Sequence, residues 1–82
     1  MQSFVAVVEE GSFSAAARRL GLSKSLTSKR ISDLEALLGV RLLTRSTRSV
    51  SATGAGSDYY QRLKGILGEL EAAHQAVRQQ GD

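Results

Sequence analysis

Along most of the chain the hydrophobic side chains recur every three or four residues, which is the period of an amphipathic helix. The pattern predicts four helices, at residues 1–10, 14–20, 24–38 and 55–80. The first is rich in valine, a β-branched residue, so a strand remains an alternative there. Between the third and fourth helices the helical period is lost, and residues 41–43 and 49–51 are candidates for short strands.

Glycine and hydroxyl residues mark the predicted helix ends. Glycines that can end a helix follow the first three, at Gly11, Gly21 and Gly39. The side chains that can cap the next helix are Ser12 or Ser14, Ser23 and Thr53. Leu22 is expected to enter the core from the short turn between the second and third helices. Two helices joined so closely indicate a helix-turn-helix.

The third predicted helix has two different faces. Its apolar stripe, spaced by four, three and four residues, is Thr27, Ile31, Leu34 and Leu38. The opposite face is polar and cationic, and carries Lys24, Ser25, Ser28, Lys29 and Ser32. The N-terminus of a helix also presents free backbone N–H groups and a positive dipole end to an anion.

The second helix is expected to bury Phe13, Ala16 and Leu20, and to point Arg18 and Arg19 outward.

The distribution of charge adds a reason to consider a polyanionic partner. Of the 82 residues, those from 18 to 48 include eight basic and two acidic side chains, a charge of +6. The remaining residues include three basic and six acidic side chains, a charge of −3. A cationic centre between acidic ends favours a nucleic-acid contact, although a solvated basic surface would give the same charge.

The two strand candidates predict a small ribbon with a polar tip at residues 44–48. The tip carries Arg45, Thr47 and Arg48. Such side chains at the end of a ribbon are typical of a wing that contacts the DNA backbone or minor groove. The alternative is a loose polar loop.

The fourth predicted helix is about 40 Å long at 1.5 Å per residue, too long for the preceding domain to cover. Its apolar stripe is Tyr59, Leu63, Ile66, Leu67, Leu70, Ala73 and Val77. A second copy of the chain is the simplest partner for the stripe. We therefore expect a DNA-binding domain at residues 1–52 and a dimerisation helix at residues 53–82.

Several classes of function are not expected. The chain has no cysteine, which excludes disulfides, thiolate zinc sites and cysteine nucleophiles, and suits a reducing cytoplasm. The single histidine, His74, cannot build a histidine metal site by itself. No apolar run is long enough to span a bilayer. We expect no cofactor, no metal, no membrane contact and no enzymatic activity.

Residues 9–56, EEGSFSAAARRLGLSKSLTSKRISDLEALLGVRLLTRSTRSVSATGAG, resemble the N-terminal DNA-binding domain of LysR-type bacterial transcriptional regulators. The resemblance implies a mainly α fold, in which three helices and a two-stranded wing precede a long linker helix. It also implies an antiparallel linker-helix dimer on inverted-repeat promoter DNA, and dimers that pair into tetramers at full length. The family's C-terminal effector domain is not expected within these residues, and a small-molecule inducer would be expected only for that domain.

The resemblance also implies which side chains contact DNA. Those of the third helix and its cap are Ser23, Lys24, Ser25, Leu26, Ser28, Lys29 and Arg30. Those of the second helix, facing the DNA backbone, are Ala15 and Arg18. The wing contributes Arg45, Thr47 and Arg48. The chain departs from the family pattern at Thr27, usually larger and apolar, at Lys29, usually arginine, and at Gly54, usually glutamate.

The competing hypothesis is a protein-interaction module. In that case the long helix would bind another protein, and the basic centre would only keep the chain soluble. The position of the cations distinguishes the two. They cluster at the start of the third helix and in the wing, which favours DNA, whereas an even spread would have favoured the module.

Overall fold

The computed structural model describes residues 2–45 and 49–81, and these form four helices and one two-stranded sheet. The elements in chain order are α1 (Gln2–Glu10), α2 (Phe13–Leu20), α3 (Lys24–Leu38), β1 (Leu43–Arg45), β2 (Val50–Ala52) and α4 (Gly54–Gln80). The first segment is a helix, so the alternative of a strand there is excluded. The order confirms the predicted winged helix-turn-helix with a long final helix.

Local hydrogen bonds explain where α2, α3 and α4 begin. The side chains of Ser12, Ser23 and Thr53 each accept a hydrogen bond from the backbone N–H three residues later, at 3.0–3.2 Å. These bonds satisfy N–H groups that have no partner inside the helix. Ser12, and not Ser14, therefore caps α2.

The turn between α2 and α3 depends on Gly21. Its backbone is left-handed, with φ of 70°, a conformation that L side chains rarely adopt. The N–H of Leu22 then donates to the carbonyl of Ala17 at 2.9 Å, which closes the end of α2. The chain is thereby turned into α3 within three residues, as a helix-turn-helix requires.

The core lies where α1, α2 and α3 meet the first strand and the beginning of α4. Its largest fully buried side chains are Phe4, Ile31, Leu42, Leu43, Val7 and Thr27. The Thr27 hydroxyl donates to the Ser23 carbonyl at 2.9 Å, so burial leaves no polar group unpaired there.

Four predicted core positions are corrected. Leu38 is 42% exposed, at the last position of α3. Leu20 and Leu34 are only partly buried, at the edge of the core, and Leu22 is also only partly buried. The buried stripe of α3 is therefore shorter than its periodicity predicts.

The first half of α4 packs against the domain that precedes it. Leu63 is 2% exposed and belongs to the core, and the Tyr59 ring lies 5.5 Å from the Phe4 ring. Placing Leu63 in an exposed dimer stripe was therefore wrong, because its own chain already covers it. Tyr59 is half-buried against α1 for the same reason.

A polar cluster joins α1 to α2 and α4. The Glu9 carboxylate accepts a hydrogen bond from the Tyr60 hydroxyl at 2.7 Å and pairs with Arg19 at 2.8 Å. Hydrogen bonds from Tyr60 and Arg19 lower the pKa of Glu9. Arg19, expected to point outward, thus ties α2 to α1.

Within residues 2–45 and 49–81, no helix is long and apolar enough to cross a membrane.

Candidate nucleic-acid interface

The first two turns of α3 present an exposed cationic surface. Lys24, Ser25, Lys29 and Arg30 are exposed, Leu26 is 37% exposed and Ser28 is half-buried. The Ser23 cap uses the N–H of Leu26, and the other N–H groups of the first turn lie beside these side chains. The beginning of α3 thus combines a positive dipole end with side-chain cations.

The cations of this surface are largely uncompensated. Lys29 pairs with Asp33 at 2.8 Å, but both side chains are about two-thirds exposed. A pair so exposed contributes little to stability, so Lys29 can exchange Asp33 for a phosphate at small cost. Within the described part of the chain, no carboxylate forms an ion pair with Lys24, Arg30 or the exposed Arg18 of α2. Ala15, the other position expected to contact the DNA backbone from α2, is half-buried.

The wing is an antiparallel pair of three-residue strands. Leu43 pairs with Ala52, Thr44 with Ser51 and Arg45 with Val50. The strand predictions were thus displaced, β1 by two residues and β2 by one. Thr47 and Arg48, predicted at the wing tip, lie outside the described residues.

Arg45 joins the wing to the exposed cationic surface of α3. Its guanidinium carbon lies 4.6 Å from the centroid of the Phe13 ring, and its Nη1 donates to the Ser28 hydroxyl at 3.2 Å. A hydrogen bond therefore connects a wing residue to the exposed side of α3, and two residues expected to contact DNA lie side by side.

Glu35 was not predicted to have a role, but it holds the wing against α3. Its Oε2 accepts hydrogen bonds from the backbone N–H groups of Leu42 at 2.7 Å and Leu43 at 3.2 Å. Nε of Arg41 lies 3.7 Å from the same oxygen, and the Glu35 side chain is only 11% exposed. The carboxylate thus fixes the chain where it leaves α3 and enters the wing. The sequence feature that could have indicated this role is an acidic residue one turn before Gly39, inside a basic segment.

The same short segment also holds α4. The carbonyl of Leu42 accepts from the N–H of Thr53 at 3.0 Å, and the Thr53 hydroxyl donates to the carbonyl of Arg41 at 2.7 Å. A Cβ on Gly56 would overlap the Leu42 carbonyl oxygen, so the close approach requires glycine. Residues 41–43 therefore connect α3, the wing and α4, and we call them the junction.

The second half of α4 carries an apolar surface that its own domain does not cover. Ile66 is 56% exposed, Leu70 50% and Val77 69%, with Ala73 exposed between them and Leu67 half-buried. A groove of about 570 Å³ runs beside Leu67 and Leu70 toward the end of α2. Isolated exposed leucines are ordinary, but a stripe along one helix marks an interaction surface.

The fold and the cationic surface define a winged helix-turn-helix DNA-binding domain, and comparisons with known proteins identify the family. Residues 1–57 match the model of the bacterial regulatory helix-turn-helix proteins of the lysR family. The match covers more than half of the chain, so the chain belongs to the LysR family. It is accordingly a DNA-binding domain of a transcriptional regulator and not an enzyme.

Relatives and solved structures agree with this assignment. The chain is 46% identical over 78 residues to the HTH-type transcriptional repressor PA14_22550 of Pseudomonas aeruginosa (strain UCBPP-PA14), covering 95% of this chain and 25% of the relative. It is 49% identical over 77 residues to the HTH-type transcriptional activator AaeR of Escherichia coli (strain K12), covering 94% and 25%. The chain thus spans about a quarter of these relatives' length, and its similarity to both a repressor and an activator does not distinguish the two roles.

The fold is also similar to that of a solved DNA complex. The protein chain in the crystal structure of the BenM_DBD/benA site 1 DNA complex superposes with a TM-score of 0.90 at 36% identity. The superposition covers 95% of this chain and 88% of that chain. The described elements therefore have the arrangement found in a protein bound to DNA.

Removing the Glu35 carboxylate should destabilise the fold. In Glu35→Ala the N–H groups of Leu42 and Leu43 lose their acceptor, which should lower the free energy of unfolding by about 1–3 kcal/mol. Urea denaturation followed by circular dichroism measures the change. Glu69→Ala, an exposed glutamate on α4, is the matched control and should stay within about 0.5 kcal/mol of the parent. Equal stabilities of the two variants would contradict the role of Glu35.

Proposed function

We propose that α3 enters the major groove of promoter DNA and that the wing contacts the neighbouring backbone or minor groove. The observation that carries the proposal is the largely uncompensated cationic start of α3, joined by Arg45 to the wing. A capped helix with an exposed N-terminal face suits the groove, since base edges are reached by side chains of the first turns. The similarity to a DNA-bound structure supports the same orientation.

The side chains divide by the contact that each can make. Ser25, Ser28 and Lys29 would read base edges, because Ser25 and Lys29 are exposed on the first two turns of α3 and the half-buried Ser28 lies between them on the polar side. Lys24, Arg30 and Arg18 supply charge to phosphates. Lysine at position 29 can hydrogen bond a guanine but lacks the bidentate fork of arginine, so sequence preference there is weaker than arginine would give.

The exposed stripe of α4 pairs two copies of the chain. Ile66, Leu70, Ala73 and Val77 remain uncovered after the first half of α4 has packed on its own domain. Burying this apolar surface against its twin favours a homodimer. The dimer presents two α3 helices to the half-sites of an inverted repeat, spaced by roughly 34–36 Å or a multiple of that distance.

In its cellular setting, the chain serves as the DNA-binding part of a cytoplasmic, nucleoid-associated regulator. The whole protein would add an effector domain that responds to a small-molecule inducer and pairs dimers into tetramers. Support for this wider role comes from relatives four times as long, which are named transcriptional regulators.

Loss of the α3 cations should weaken DNA binding. The double variant Lys24→Ala/Lys29→Ala should bind a duplex roughly ten-fold or more weakly, and its log–log salt slope should fall by about 1–2. Fluorescence anisotropy at about 50 and 200 mM salt measures both quantities. Duplexes selected from a randomised pool serve as probes.

The matched control removes two exposed cations from α4, in Arg62→Ala/Arg78→Ala. It has the same net charge as the test variant and should bind nearly as tightly as the parent. If the α3 variant kept the parent's affinity, or if both variants lost affinity equally, α3 would not be the recognition helix.

Polar substitution of the stripe should separate the two copies. Ile66→Ser/Leu70→Ser should raise the dimer dissociation constant at least roughly ten-fold, since two apolar side chains leave the interface. Sedimentation equilibrium measures the constant, with Leu37→Ser, an 80% exposed leucine on α3, as the control. An unchanged dissociation constant would contradict the α4 dimer.

A further inference from the structure

The Phe13 ring has a second contact besides the core. Phe13 is the first residue of α2, directly after the Ser12 cap. Its side chain is 8% exposed and packs among the buried apolar side chains of the core. The guanidinium of Arg45 lies over its outer face, 4.6 Å from the ring centroid. The cap fixes the start of α2, and the ring is therefore held in one place beneath the wing.

Arg45 is held by uncharged groups alone within the described part of the chain. Its partners there are the Phe13 ring and the Ser28 hydroxyl at 3.2 Å, and no carboxylate forms an ion pair with it. A ring and a hydroxyl orient a guanidinium without neutralising it. Its full charge thus remains available to an external anion.

We infer that Phe13 is a positioning residue for DNA binding, whose ring holds the Arg45 guanidinium beside Ser28 so that wing and α3 meet the DNA as one surface. This inference rests on the proposed DNA contact of Arg45. A long arginine side chain normally loses rotamer freedom when it binds, and one already held in place loses less. The ring therefore raises affinity without touching DNA.

A purely structural role for Phe13 makes a different prediction. If the ring only filled the core, its replacement would weaken DNA binding to the same extent whatever residue stood at position 45. If it acts through Arg45, the effect should vanish when the guanidinium is absent. A double-mutant cycle separates these two cases.

The test compares the parent chain with Phe13→Leu, Arg45→Ala and the double variant. Leucine keeps an apolar side chain in the core but removes the aromatic face. Affinity for one pool-selected duplex is measured by anisotropy. Phe13→Leu should weaken binding roughly two- to five-fold in the parent background. In the Arg45→Ala background it should have no further effect.

Three results would overturn the inference, and they are distinguishable. Equal penalties for Phe13→Leu in both backgrounds would leave Phe13 a core residue only. Full parental affinity for Phe13→Leu would show that the ring does not position Arg45. If Arg45→Ala alone bound DNA as tightly as the parent, the proposed contact between the wing and DNA would itself be contradicted. Circular dichroism verifies folding of each protein, and Phe13→Met replaces Phe13→Leu if the leucine variant is unfolded.

A measurement without DNA provides independent support. Protons above an aromatic face are shifted upfield in the NMR spectrum by the ring current. The Arg45 side-chain protons should be shifted upfield in the parent and should return to ordinary positions in Phe13→Leu. Identical Arg45 shifts in the two proteins would contradict the contact, whatever the DNA titrations give.

Discussion

The structure depends above all on the hydrogen bonds that the Glu35 carboxylate accepts from the backbone of the junction, residues 41–43. Two N–H groups of the junction point at one carboxylate oxygen from α3, while the carbonyls of Arg41 and Leu42 are bonded by Thr53 at the start of α4. A charge-assisted hydrogen bond in a partly buried position is among the stronger polar interactions in a protein. The helix α3, the wing and the helix α4 therefore share one fixed point.

This fixed point matters because the three elements have different tasks. A wing only three residues long on each strand has little stability of its own. It is held at its base by the junction and on its side by Arg45, which contacts Phe13 and Ser28. The long α4 begins at the same point, so the geometry of a dimer would be transmitted to α3 through a few backbone hydrogen bonds.

Much of this architecture is predictable from the sequence, because its signals are local. The caps at Ser23 and Thr53 and the helix-ending glycines act within one turn, so a short window of sequence contains the whole interaction. The cationic face of α3 is likewise a property of a single helix. Its buried stripe was predicted correctly at Thr27 and Ile31, whereas Leu34 is only partly buried and Leu38 is exposed.

The remaining errors concern contacts between elements distant in sequence. Helical period alone cannot tell that α4 first packs on α1, so Leu63 was assigned to the dimer stripe instead of the core. The strand bounds were displaced because the hydrophobic pattern does not contain the hydrogen bonds that Glu35 accepts from Leu42 and Leu43 beside the start of β1. The contact between Phe13 and Arg45 likewise joins residues distant in sequence, so it appears only in three dimensions.

The most direct test of the central claim, that α3 and the wing together form the DNA-reading surface, is an NMR titration of the labelled chain with a pool-selected duplex. The largest amide shift changes should fall on Ser23 to Arg30 and on Arg45, with smaller changes along the second half of α4. Largest changes on α1 or on the exposed stripe of α4, with α3 unperturbed, would contradict it.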